Sequence, residues 1–186
     1  MNLHEWFHKG VTPDTYIEAM EQHKENLLSI YDQFMVPEED LSFFNPLRSE
    51  QLRAIVITED WCGDAMLNVP IYLRIAEAGG IETRFLKRDE NLELMDQYLT
   101  NGKSRSIPKI IVINKNGGEI FNWGPRAPKL QAFIDKSLAS LPPNDAGDFK
   151  EKQQEMFQFV SKAYRDNKEF HSFVYQDIKK HLLNND

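Results

Sequence analysis

The sequence predicts an α/β fold, a mixed central sheet of about four strands flanked by helices, with a helical extension before it and a helical hairpin after it. Three observations carry this. First, Ala54-Ile55-Val56-Ile57-Thr58 is a β-branched apolar run followed at once by a helical pattern and then by a second strand-like run, Ile81 to Lys87. That order implies a parallel strand pair joined by a right-handed crossover. Second, Lys109 to Asn114 and Glu119 to Trp123 are strand-like segments separated by Lys115-Asn116-Gly117-Gly118, the chemistry of a hairpin turn. Third, helical periodicity with apolar faces lies on both sides of this block.

Taken in order, Thr12-Pro13-Asp14 is a helix start, with a capping hydroxyl, a proline at the first position and an acid that complements the dipole. Tyr16, Met20, His23, Leu27, Ile30, Tyr31 and Phe34 then recur on one face, predicting one helix from about Pro13 to Phe34. Val36-Pro37 and Asn45-Pro46 break the chain, leaving a loop with a short turn at Glu38 to Phe44. After the first strand a helix is expected from about Cys62 to Ala78, ended by Gly79-Gly80. Glu90 to Leu99 predicts another helix, stopped by Asn101-Gly102, and Pro128 to Leu141 the helix that closes the core.

Pro142-Pro143-Asn144-Asp145-Ala146-Gly147 has linker composition. Beyond it, Phe149, Met156, Phe157, Val160 and Tyr164 line one amphipathic helix, and Phe170, Phe173, Val174, Ile178 and Leu182 a second. Their faces should dock on the central domain or the N-terminal helix, with a dimer contact as the alternative. The expected organisation is residues 1–49 as the extension, 50–141 as the central domain and 142–186 as linker and hairpin.

The chain has 186 residues and a formal net charge of −7, with no basic cluster, so neither nucleic acid nor an anionic membrane is an expected partner. No apolar run approaches the ~18 residues of a membrane span. The N-terminal MNLHEWFHKG has no signal-peptide pattern, and one cysteine excludes an internal disulfide, so a cytoplasmic, reducing compartment is expected.

That cysteine is the residue to explain. Glu59-Asp60-Trp61 leaves the first strand and Cys62 stands where the helix begins. Unpaired amides and the positive end of the helix dipole favour a thiolate there, and the thiolate is the reactive form. Asp60 and Asp64 oppose it, and Arg105, three residues before Pro108, is placed to offset them from a facing loop. An accessible thiol with a pKa below the free value of ~8.5 is therefore expected.

Trp61-Cys62-Gly63 resembles the Trp-Cys-Gly of the thioredoxin active site, and Pro70 stands at the spacing of that family's helix proline. Ser106-Ile107-Pro108 before a strand looks like the family's cis-proline loop, and Asn116-Gly117-Gly118 and Gly124 follow in the family's order. The resemblance spans roughly residues 50 to 140 and implies a thioredoxin fold. It also implies a cis Ile107–Pro108 bond opposite Cys62 and a substrate groove shaped by Trp61, Gly63, Ile107, Pro108 and Trp123, with Gly124 at its rim.

Two departures limit the analogy. The second cysteine of the family's Cys-x-x-Cys motif is replaced by Ala65, and the buried acid six residues before the first cysteine by Val56. A mixed disulfide on Cys62 could be resolved only by an external thiol. The leading expectation is monothiol thiol–disulfide exchange, Cys62 being the nucleophile and a protein disulfide or a low-molecular-weight thiol the partner. The competing one is a non-catalytic thioredoxin-fold interaction module, expected to have a buried or unreactive cysteine. An iron–sulfur cluster shared between two subunits is a third possibility, needing an extra thiol ligand. His4 and His8 share a helix face, and His23, His171 and His181 sit on or near helix faces. No metal site or cofactor is expected.

Overall fold

The computed structural model describes residues 2–183. Before the sheet come α1 (Leu3–Lys9), α2 (Pro13–Glu18), α3 (Lys24–Gln33), a 3-10 turn (Glu38–Asp40) and α4 (Leu41–Leu47). Then follow β1 (Arg53–Thr58), α5 (Gly63–Gly79), β2 (Glu82–Lys87), α6 (Leu92–Met95), β3 (Lys109–Ile113), β4 (Glu119–Trp123) and α7 (Pro128–Ala139). The chain closes with α8 (Phe149–Asp166) and α9 (Lys168–Leu183). The four strands lie in the order β2-β1-β3-β4. β1 runs parallel to β2 and antiparallel to β3, and β3 and β4 form the expected hairpin.

Helices cover the two central strands on both faces, so Ala54 to Ile57 and Ile110 to Ile113 are wholly buried, which explains their unbroken apolar runs. The outer edge of β2 is capped by one antiparallel bridge: the Val11 amide donates to Phe85 O (3.0 Å) and the Phe85 amide to Val11 O (2.8 Å).

Three local expectations are corrected. The single helix over 13–34 is two helices, α2 and α3, because the amides of Glu21 and Gln22 donate to Asp60 Oδ2 (2.8 and 3.1 Å) instead of joining a helical ladder, and His23 turns the chain at φ 57°. The helix expected over 90–99 shortens to α6, since Thr100 pairs with Ser104 in a tight loop and Asp96 holds Arg105. Where a prolyl break was expected at Asn45-Pro46, α4 continues through Pro46, held by burial of Phe44 and Leu47.

The C-terminal helices dock as expected. α9 packs on α5 and β4, and α8 on α3, α5 and α7. Phe170, Val174, Ile178 and Leu182 are buried, each worth about 1.5–3 kcal/mol of apolar transfer. Polar anchors fix the pose: Tyr175 donates to Asp40 Oδ2 (2.6 Å), Lys179 pairs with Asp40 (2.5 Å), and Trp123 Nε1 donates to Asp177 (2.7 Å).

Candidate functional site

The site is built where β1 hands over to α5. The Cys62 amide donates to Glu59 O (3.3 Å), and Cys62 O accepts from Met66, so Cys62 is the N-cap of the 17-residue α5. The loop before β3 faces it, with the Ile107–Pro108 bond cis. Cys62 Sγ donates to the Ile107 carbonyl at 3.4 Å. Thiol and proline loop thus meet, as the sequence implies.

The state of that thiol is not the expected one. Cys62 is 8% exposed. Burial, with Asp64 second, pushes its pKa up to about 11, while the amides of Ala65 and Asp64 and the more distant Arg126 guanidinium pull weakly downward. The accessible, acidified thiol is therefore corrected to a buried, protonated one. Desolvation of the anion outweighs what a helix terminus returns.

What closes the corner comes from far along the chain. Arg126, just after β4, makes a two-pronged pair with Asp64 (Nε to Oδ1 2.7 Å, Nη2 to Oδ2 2.6 Å). Its other Nη donates to Gln131 (2.8 Å), and Tyr164 of α8 donates to Asp64 Oδ1 (3.0 Å). Arg105, expected to offset the acids near Cys62, instead grips Asp96 through two bonds (2.6 and 2.8 Å), and Arg126 takes the role.

The other sequence-predicted residues divide. Trp61 is 43% exposed beneath the Arg88 guanidinium (4.9 Å). Gly63 lies beside it, and a Cβ there would meet nothing within 4 Å, so that face is open. A cleft of about 1060 Å³ runs from Trp61, Cys62 and Gly63 along α8. Ile107 and Pro108 are buried behind the sulfur and do not line it. Trp123 is also absent from that lining, being 3% exposed with its indole N–H bound to Asp177 of α9. Gly124 packs against the proline loop with φ +117°, where a Cβ would sit 2.1 Å from Pro108 O. Lys109, buried beside it, donates to Gly124 O (2.7 Å), and burial lowers its pKa. Among the described residues no cluster of three or more His, Cys, Asp or Glu could hold a metal.

The family model for thioredoxin matches residues 10–139, well over half of the sequence. The chain belongs to the thioredoxin family. Two solved structures share the fold over nearly the whole chain. An HIV epitope scaffold aligns over 99% of both chains at 14% identity with a TM-score of 0.67. A protein of unknown function from Pseudomonas aeruginosa aligns over 97% of this chain and 98% of its own, at 14% identity and a TM-score of 0.62. A thioredoxin from Halobacterium salinarum matches 59% of this chain and 91% of its own, at 17% identity and a TM-score of 0.34. Among curated proteins none matches the sequence.

In this thioredoxin-family chain, then, the strand-to-helix corner and the proline loop are retained, while the second thiol is gone and Ala65 is buried in its place. Such a corner leaves an open face beside Trp61 and Gly63, and it can carry at most one adduct, on Cys62. Sequence reading missed Arg126 and Tyr164. The only local signal was Asp64, a carboxylate in the first turn of a buried helix, which calls for a cation that the sequence order does not reveal.

Proposed function

We propose that this thioredoxin-family protein is a binding module that engages its partner in the cleft beside Cys62, and that it does not turn over disulfides in its resting form. The observation supporting this is the tie between α8 and the Cys62 corner, in which Tyr164 and Arg126 both hold Asp64 while Cys62 stays 8% exposed. A thiol near pKa 11 is ionised in on the order of one molecule in 10⁴ at neutral pH. Relative to a free thiol the ionised fraction falls roughly 300-fold, and the greater nucleophilicity of a more basic thiolate returns roughly 13-fold, so attack slows about 25-fold. With Ala65 in place of a resolving cysteine, nothing in the chain completes a cycle.

The test is reduction of a protein disulfide with dithiothreitol as the terminal reductant. On this reading wild-type protein does not raise the rate above the protein-free blank, and a rate that scales with protein concentration would overturn it.

A second reading, monothiol exchange, is favoured by one contact, the Cys62 Sγ to Ile107 carbonyl distance of 3.4 Å, which keeps sulfur and proline loop in register. In that scheme the Cys62 thiolate attacks a partner disulfide, a new S–S bond forms, and the partner's thiolate leaves. An external thiolate then attacks the mixed disulfide and releases Cys62. Oxidised extract would leave a reducible mass adduct on wild type and none on Cys62→Ser. Either reading suits a reducing, cytoplasmic setting, where a lone thiol stays free.

A further inference from the structure

The cleft beside Cys62 has a length, a charge and an apolar character that together describe its occupant. Along α8 its lining extends from Lys150 to Arg165, roughly 22 Å at the helical rise. An extended chain advances about 3.3 Å per residue, so the cleft spans a peptide of about six to seven residues rather than a small thiol.

Its charge is opposite to that of the protein. The chain carries 29 acidic against 22 basic residues. Yet the lining includes Lys150, Lys162, Arg165 and Arg126, and its one carboxylate is Asp64. Arg126 is consumed by Asp64 and Arg165 by Asp166. Lys150 and Lys162 are exposed and lie within ion-pair distance of no carboxylate among the described residues, Lys162 acting on Asp166 only from further off. Two of α8's own acids, Glu151 and Glu155, are not part of the lining.

Three large apolar side chains stand open in the same cleft: Trp61 (43% exposed), Leu138 (45%) and Phe157 (55%). Exposed apolar surface gathered beside exposed lysines is the pattern of an interaction site rather than of ordinary solvated surface.

We propose that this cleft takes an extended peptide segment of a partner protein in which acidic side chains alternate with large apolar ones. The apolar groups would cover Phe157, Leu138 and Trp61, and the carboxylates would meet Lys150 and Lys162. The proposal rests on the binding reading above and names the chemistry of the partner.

The test is fluorescence anisotropy on the full chain with labelled, cysteine-free hexapeptides. One alternates glutamate with phenylalanine and leucine, a second replaces glutamate by lysine, and a third replaces the apolar residues by serine. The first is expected to bind at least ten-fold tighter than either of the others, and to weaken as salt rises. Lys150→Glu with Lys162→Glu should cost at least ten-fold, and Phe157→Ser a similar factor, while Lys103→Glu outside the cleft leaves binding unchanged. All four positions are exposed, so the fold tolerates these changes. Equal binding of the lysine peptide, or indifference to the charge reversal, would overturn the charge assignment. If binding then still depended on Phe157, the binding module would stand with a different partner. Failure of all three peptides to bind would overturn the proposal, while the binding reading would still be judged by the disulfide-reduction assay.

Discussion

The hydroxyl of Tyr164 donates a 3.0 Å hydrogen bond to Asp64 Oδ1, joining residues 100 positions apart in the chain. Asp64 is two residues beyond Cys62, so this bond fastens the C-terminal hairpin to the corner that presents the sulfur. Arg126 completes the arrangement, its Nε on that same oxygen and its Nη2 on Oδ2, and the Asp64 side chain is left only 13% exposed. The helices after the linker are therefore part of the site.

Tyr164→Phe removes one hydrogen bond to a charged acceptor and keeps the packing of the buried ring. A loss of about 1.5–3 kcal/mol is expected in urea unfolding, because the acceptor is ionised. With α8 less firmly held, alkylation of Cys62 should quicken several-fold at a fixed pH. Loss of stability without any change in alkylation would separate α8 from control of the thiol.

Asp64 and Arg126 should move the thiol in opposite directions. Asp64 raises the Cys62 pKa and Arg126 lowers it. Asp64→Asn is thus expected to shift the inflection of the alkylation profile to lower pH, and Arg126→Met to higher pH. Arg126→Met also strands a mostly buried carboxylate, at a cost of about 2 kcal/mol given its partial exposure. A shift of the same sign in both variants would contradict this electrostatic assignment.

Burial of Cys62 makes stability depend on alkaline pH. Its pKa rises on folding from the free-thiol value of about 8.5 to about 11. The unfolded chain therefore loses its thiol proton first, and between these values the folded state holds more protons, so stability falls as pH rises. The full loss is about 3 kcal/mol once pH exceeds both values. Comparing wild type with Cys62→Ser from pH 8 to about 11 isolates this contribution from that of the tyrosines. The two curves should converge toward high pH, and parallel curves would show that the thiol titrates alike in both states.

Gly124→Ala is expected to be among the most damaging single changes. A Cβ would lie 2.1 Å from the Pro108 carbonyl oxygen, and the φ of +117° is one that L side chains rarely adopt. Backbone would have to move on both sides of the contact, so a loss above about 3 kcal/mol is expected, read by thermal or urea unfolding. A near-neutral substitution would mean the proline loop yields easily.

The parts that the sequence discloses are those set by local chemistry. β-branched runs gave β1 and β3, the Asn116-Gly117-Gly118 turn gave the hairpin, and Gly79-Gly80 gave the end of α5, where Gly80 has φ 65°. Cys62 and the proline loop were legible through their resemblance to thioredoxin. What escaped depends on contacts between distant segments. α2 and α3 separate because Asp60 captures two amides 38 and 39 residues upstream. Arg105 and Arg126 are both plausible cations by position, and only the fold decides that one meets Asp96 and the other Asp64. The thiol's state was misjudged for the same reason. A helix N-terminus is visible in sequence, whereas the burial that overrides it arises only in the fold, where the sulfur packs against the Ile107 carbonyl of the proline loop.

The most direct test of a sealed, protonated thiol is the rate of Cys62 alkylation by iodoacetamide in the folded wild-type protein as a function of pH. Slow labelling at neutral pH and an inflection near 11 are expected. Rapid labelling with an inflection at or below the free-thiol value of about 8.5 would contradict a sealed thiol.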